Sequence, residues 1–124
     1  MKVKQLIDAI PALQKVAQQE FQISTLRRVR SLMEIVDAEL GTFYSARDEL
    51  LAKFGVEVSP SKWEIPADKI DLYNEQLEFL VNRETVAIPE VEISEDEPIR
   101  LSYTDLCKLQ GFLTIQEGGD TQWH

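Results

Sequence analysis

The sequence holds few of the side chains that usually build a reacting centre, because it has one histidine and one cysteine in 124 residues. His124 is the last residue, and a general base must be held within hydrogen-bond reach of its partner. Cys107 lies between Leu106 and Lys108, where we expect a small, buried or half-buried side chain. Zinc motifs require several such ligands. We therefore predict no catalytic residue, no metal site, no cofactor and no enzymatic activity.

Long apolar runs are also missing. No stretch approaches the roughly 18 consecutive apolar residues of a membrane span. Polar residues such as Gln5 and Asp8 interrupt the first segment before it reaches the length of a signal peptide. A single cysteine excludes an internal disulfide. These features favour a cytoplasmic protein that has no membrane partner.

Positive charge is scarce, since 13 lysines and arginines stand against 22 acids and give a formal net charge of −9. Neutralisation of phosphates supplies most of the affinity for nucleic acid, so that partner is disfavoured. A basic protein surface suits this charge better. A chain of 124 residues with 44% hydrophobic content is typical of one globular domain, here residues 1–124 with 117–124 as a frayed tail.

One long apolar stripe is the clearest positive feature of the sequence. Its residues recur in alternating steps of three and four: Leu26, Val29, Met33, Val36, Leu40, Phe43, Leu50 and Phe54, with a polar break at Arg47. This spacing predicts a single long helix that needs a partner along its whole length. Gly41 inside it indicates a bend or a close approach by a neighbour, and Gly55 is its expected end.

Helical segments flank the stripe on both sides. Residues 3–20 predict a first helix that is broken at Pro11, and residues 67–82 predict a third helix. Between the stripe and the third helix, residues 56–65 predict a small β-hairpin. Residues 99–101 suggest a further strand, and Ser102 caps a short helix whose Leu106 and Leu109 face inward.

The predicted fold is therefore α+β and mainly α. It has a long antiparallel helical hairpin, a third helix, short strands and a short C-terminal helix. We expect the first and third helices each to cover half of the stripe within one chain. A coiled-coil dimer is the alternative.

Two groups of charged residues are candidate interaction sites. The acidic group comprises Glu90, Glu92, Glu95, Asp96 and Glu97, and its spacing lacks the ligand pattern of a calcium-binding EF-hand. The basic group comprises Arg27, Arg28 and Arg30, which we expect to pair with carboxylates such as Glu34 or Glu20.

Arg47 is a separate candidate with two interpretations. Its stem packs while its head reaches solvent or a glutamate, or it forms a buried pair with an acid of the third helix.

The order of motifs resembles a group of small uncharacterised proteins encoded by tailed bacteriophages and prophages. The resemblance is carried by the opening VKQLIDAIPALQKVA, the long helix TLRRVRSLMEIVDAELGTFYSARDELLAKFG and the closing LSYTDLCKLQGFL. Its key positions are Lys53, Phe54, Gly55, Leu101, Ser102, Asp105, Leu106 and Leu109. The resemblance implies a phage-encoded protein that works through contacts and has no catalytic residues.

We therefore predict a non-enzymatic phage accessory or structural protein that binds another protein, either as a virion component or as an assembly factor. A homo-oligomer is kept open. One alternative is an inhibitor of a host or defence protein that uses an acidic surface, which requires one dense face of carboxylates. The other is an enzyme of unrecognised type, which requires a pocket with convergent polar groups.

Overall fold

One helix of 32 residues, α2 (Ile23–Phe54), organises the fold in the computed structural model, which describes residues 1–116. The other elements are α1 (Val3–Ala17), β1 (Val56–Ser59), β2 (Lys62–Glu64), α3 (Ile70–Val81), β3 (Val91–Ser94), α4 (Tyr103–Lys108) and β4 (Leu113–Gln116). The predicted class, α+β and mainly α, is confirmed. The predicted frayed tail at 117–124 and His124 lie outside the described residues.

Two short helices cover α2 in tandem. With a rise of 1.5 Å per residue, α2 is about 48 Å long, whereas α1 has 15 residues and α3 has 12. Both pack against α2. The link after α1 is short, so α1 lies antiparallel to the first half of α2. The hairpin β1–β2 returns the chain so that α3 lies against the second half.

The junction between the two short helices is built around Glu39, a buried residue of α2. Its carboxylate accepts hydrogen bonds from Arg83 Nη2 at 3.1 Å and from the Val86 backbone N–H at 3.4 Å. The carbonyl of Arg83 in turn accepts from the Val3 N–H at 2.9 Å. The end of α3 is thus tied both to the middle of α2 and to the start of α1.

Burial is confined to one side of this junction. The core cluster comprises Leu6, Ala9, Ala12, Leu13, Val16, Val29, Leu32, Val36, Leu40, Val91, Ile93, Leu109, Phe112 and Leu113. No side chain in residues 44–90 is buried. We call residues 44–82, which comprise the second part of α2, the hairpin and α3, the arm. The remaining described residues form the head.

The stripe on α2 is mostly but not wholly as predicted. Val29, Val36, Leu40 and Phe43 are buried, but Leu26 is exposed. Thr25 is buried in its place because its hydroxyl donates to Glu97 Oε1 at 2.9 Å. No heavy atom lies within 4 Å of a Cβ built on Gly41, so the suggested close approach does not occur there.

The predicted break at Pro11 is wrong, since α1 continues through it. Proline inside a helix costs about 3 kcal/mol through its missing N–H and its ring. Ala9, Ala12 and Leu13 around it are all buried, and this packing offsets the cost.

Two pairs of strands complete the head and the arm. The β1–β2 hairpin is antiparallel as predicted, and Ser61 in its turn adopts a φ of 64°. The strand suggested at 99–101 does not form. Instead β3 pairs in parallel with β4, a strand that the sequence did not indicate, in a register that places Val91 opposite Leu113.

The short helix α4 begins with a complete capping box. Ser102 Oγ accepts from the Asp105 N–H at 3.1 Å, and Asp105 Oδ2 accepts from the Ser102 N–H at 3.2 Å. Lys15 Nζ of α1 also donates to Asp105 Oδ2 at 3.0 Å. The Lys15 contact, followed by the Ser102 bond, lowers the pKa of Asp105 below its usual value. Asp105 is buried, whereas Leu106, which was expected inward, is 40% exposed.

Gly41 within α2 and Gly55 at its end give a matched test of this geometry. Gly41→Ala should raise the free energy of unfolding by about 0.5–1 kcal/mol, because it removes backbone entropy at an open helical position. Gly55→Ala should lower it by about 1–3 kcal/mol, because the new Cβ would lie 2.7 Å from the Leu51 carbonyl oxygen. Urea unfolding measures both, and a loss of stability in Gly41→Ala would show that a neighbour does approach there.

Candidate functional site

The acidic run does not form one continuous surface. Glu90, Glu92, Glu95 and Asp96 are exposed, whereas Glu97 is buried. Glu90 and Glu92 line a groove beside α2. The run therefore contributes separate exposed carboxylates, and the interaction role predicted for the four exposed acids stays a prediction.

Glu97 works as an internal cap for the start of α2. Its carboxylate accepts from the Gln22 N–H at 3.2 Å and from the Thr25 hydroxyl at 2.9 Å. Negative charge is favoured at a helix N-terminus, where the backbone N–H groups lack intrahelical partners. Sequence reasoning missed this contact, because the two partners are separated by more than seventy residues.

The basic cluster is only partly neutralised. Arg30 Nε lies 3.2 Å from Glu34 Oε1, as expected from their spacing of four residues. Arg28 Nη2 donates to the Thr25 hydroxyl at 3.3 Å. Within residues 1–116, neither Arg27 nor Arg28 forms an ion pair with a carboxylate.

A groove of about 480 Å³ separates these arginines from β3. One wall comprises Arg27, Arg28, Ser31 and Leu32 of α2, and the other comprises Pro89, Glu90, Val91 and Glu92. It is the one surface of the head at which predicted candidates of both charges, the arginines and the glutamates, come together. The arrangement offers cations, carboxylates, the Ser31 hydroxyl and backbone groups for recognition.

Arg47 has no acidic partner on α3 within the described residues. Its guanidinium lies 4.9 Å from the ring centre of Tyr44 and 3.6 Å from Asp48 Oδ1, and its side chain is 41% exposed. This is the geometry of a packed stem with a head in solvent. The Nε atom of Arg47 is buried and has no hydrogen-bond partner within residues 1–116.

The arginine that pairs with a buried acid is instead Arg83, which sequence reasoning missed. Arg83 and Glu39 are 44 positions apart and lie in different elements. The sequence carried one signal of this pair, because Glu39 sits next to Leu40 of the stripe and therefore near the buried face.

The outer face of α3 carries the largest apolar groups that the arm leaves open. Leu72 is 52% exposed and Phe79 is 66% exposed. They are seven residues apart, so they lie two turns apart on the same side of the helix. Tyr73 and Leu77, which are half-buried, face α2 from the other side. Two more exposed apolar residues, Val56 and Val58, lie on β1.

Several acidic residues lie beside this apolar pair. Glu75, Glu78, Phe79 and Asn82 line a shallow cavity of about 230 Å³. Asp71 precedes Leu72 and is also exposed. An exposed apolar pair with an acidic border is a combination that favours contact with another protein over a small-molecule reaction.

Cys107, the candidate for catalysis that lies within residues 1–116, sits at the surface of the head. Cys107 is exposed, so the expected burial of this side chain is wrong. It accompanies Tyr103 on α4, and the hydrogen bond with Cys107 raises the pKa of the Tyr103 hydroxyl. No group of three or more histidine, cysteine or acidic side chains in the described part of the chain is placed to hold a metal ion.

None of the helices within residues 1–116 combines the length and the apolar character needed to cross a membrane. No protein-family model, no curated protein and no solved structure matches the chain.

Two arginines allow the pairing of Arg83 with Glu39 to be tested directly. Arg83→Met should lower the free energy of unfolding by about 2–4 kcal/mol, because it leaves the buried Glu39 carboxylate without its cation. Arg47→Met keeps an apolar stem and removes the buried, unpartnered Nε, so stability should be unchanged or rise by up to about 1 kcal/mol. Chemical denaturation of both variants measures the contrast. A larger loss for Arg47→Met than for Arg83→Met would contradict this assignment.

Proposed function

We propose that this protein is a non-enzymatic binding protein whose arm docks on another protein. One observation carries the proposal: no residue of the arm is buried, while its outer helix face presents Leu72 and Phe79. Burying a large apolar side chain is worth up to about 1.5–3 kcal/mol. A partner that covers this face would supply the burial that the arm does not obtain within the chain.

The charge around the apolar pair defines the partner. Asp71, Glu75 and Glu78 are exposed beside Leu72 and Phe79, so the fitting surface is apolar with a basic border. Two copies of this face would bring like charges together. The proposed partner is therefore a different protein. Self-association through the arm would count against the proposal.

The biological setting follows from the resemblance to tailed-phage proteins. On that basis the binding protein is a phage accessory or structural protein, made in the host cytoplasm, that serves as a virion component or an assembly factor. The inhibitor alternative requires one dense acidic face. Because Glu97 is buried and the other acids of its run are divided between the groove and a turn, we do not propose that alternative.

The test combines stability with site-specific crosslinking. The double variant Leu72→Ser/Phe79→Ser should change the free energy of unfolding by less than about 0.5 kcal/mol for each substitution, because both side chains are largely exposed. A photo-crosslinker placed at Gln76, between the two on α3, should capture one protein in phage-infected cells. The double variant should lose that crosslink.

The control places the same crosslinker at Glu34, an exposed position on α2 in the head. It should capture nothing from the same cells. The captured protein is identified by mass spectrometry. In purified form it should bind this chain, and the binding should weaken as salt rises. Capture of a second copy of this chain at Gln76, or an equal yield from the double variant, would overturn the proposal.

A further inference from the structure

The second surface of interest is the groove in the head between α2 and β3, which is independent of the arm. Its volume is about 480 Å³, and buried Leu32 lies in its wall. The groove runs along one edge of a sheet that, within residues 1–116, has two strands. A strand edge carries a row of backbone donors and acceptors, and such a row is a template for another strand.

The register shows which backbone groups of β3 face the groove. Val91 N–H donates to the Phe112 carbonyl at 2.9 Å, so the polar groups of Val91 point toward β4. Alternate residues of a strand point their backbone groups to opposite edges. The groups of Glu90 and Glu92 therefore point away from β4, toward the groove side. Beyond them the edge is closed, because the Ser94 carbonyl accepts from the Glu97 N–H at 3.0 Å.

The charges of the groove specify the side chains of an occupant. A strand added beside β3 alternates its side chains between two faces. Those on the solvent face become neighbours of Glu92, where a basic residue is favoured. Those on the inner face meet Leu32 and the two arginines of the wall, Arg27 and Arg28, which have no carboxylate partner within residues 1–116. An apolar or acidic residue is favoured there.

We propose that this groove binds an extended peptide segment of another protein, which adds to the free edge of β3 as a third strand. The segment alternates basic residues with apolar or acidic ones. A second copy of β3 does not fit, because Glu90 and Glu92 would face the same acids across the new pair. Nucleic acid offers no backbone ladder for the strand edge, and the net charge of −9 opposes it.

The probe is an acetylated and amidated eight-residue peptide that alternates lysine and valine, with one central valine replaced by glutamate. Binding to the isotope-labelled full chain is followed by NMR at physiological salt. We expect weak binding, because only a few backbone groups of the edge are open. The dissociation constant should still lie below about 1 mM. The Glu92 amide should shift and become protected from hydrogen exchange.

Two N-methylated versions of the peptide separate strand addition from general charge attraction. Each blocks the backbone N–H groups along one edge of the peptide strand. Because only one edge can face β3, one version should bind at least tenfold more weakly while the other keeps its affinity. A scrambled peptide of the same composition should lose the protection of Glu92.

Matched variants test the arginine wall. Arg27→Ala should weaken binding about two- to fivefold, as expected for a partly exposed ion pair. Arg30→Ala, which alters a neighbouring arginine outside the groove, should leave it unchanged. The proposal is overturned if no peptide binds at 1 mM, if both methylated versions behave alike, or if the two variants lose affinity equally. Protection of Glu92 by single-stranded DNA, or by raising the concentration of the protein alone, would also overturn it.

Discussion

The pairing of buried Glu39 with Arg83 is the contact on which the arrangement of the other elements depends. Neither α1 nor α3 is long enough to cover α2, so two helices must meet along it. A buried carboxylate is costly unless it is paired and hydrogen-bonded. Arg83 and the Val86 N–H satisfy it, and the Arg83 carbonyl then receives the Val3 N–H. One acid thereby sets where α3 stops and where α1 begins.

This junction also divides the chain by degree of burial. On one side lies the head, where α1, the first part of α2, β3 and the C-terminal elements share a core. On the other side lies the arm, where the same long helix continues without a buried side chain. Regions with few buried contacts open most readily, and binding surfaces are often drawn from them. The head thus serves as the stable base that holds the arm, and the arm presents Leu72 and Phe79.

The sequence predicted the features that depend on neighbouring residues. The stripe, the hairpin and the capping box at Ser102 each arise from spacings of a few positions. The break at Pro11 was wrong because tertiary packing outweighed a local preference. The cap provided by Glu97 and the pair of Glu39 with Arg83 were not predictable, because their partners are far apart in the chain. The exposed face of α3 was missed for a related reason, since a pattern cannot show how completely a neighbour covers a helix.

Native-state hydrogen exchange of the isolated protein tests the division into head and arm most directly. The amides of Val29, Leu32 and Val36 should exchange only through global unfolding, because their side chains are buried in the head. The amides of Leu77 and Leu80 on α3 should exchange through a smaller opening, with a free energy clearly below that of unfolding. Equal protection of the two groups in the monomeric protein would contradict the account.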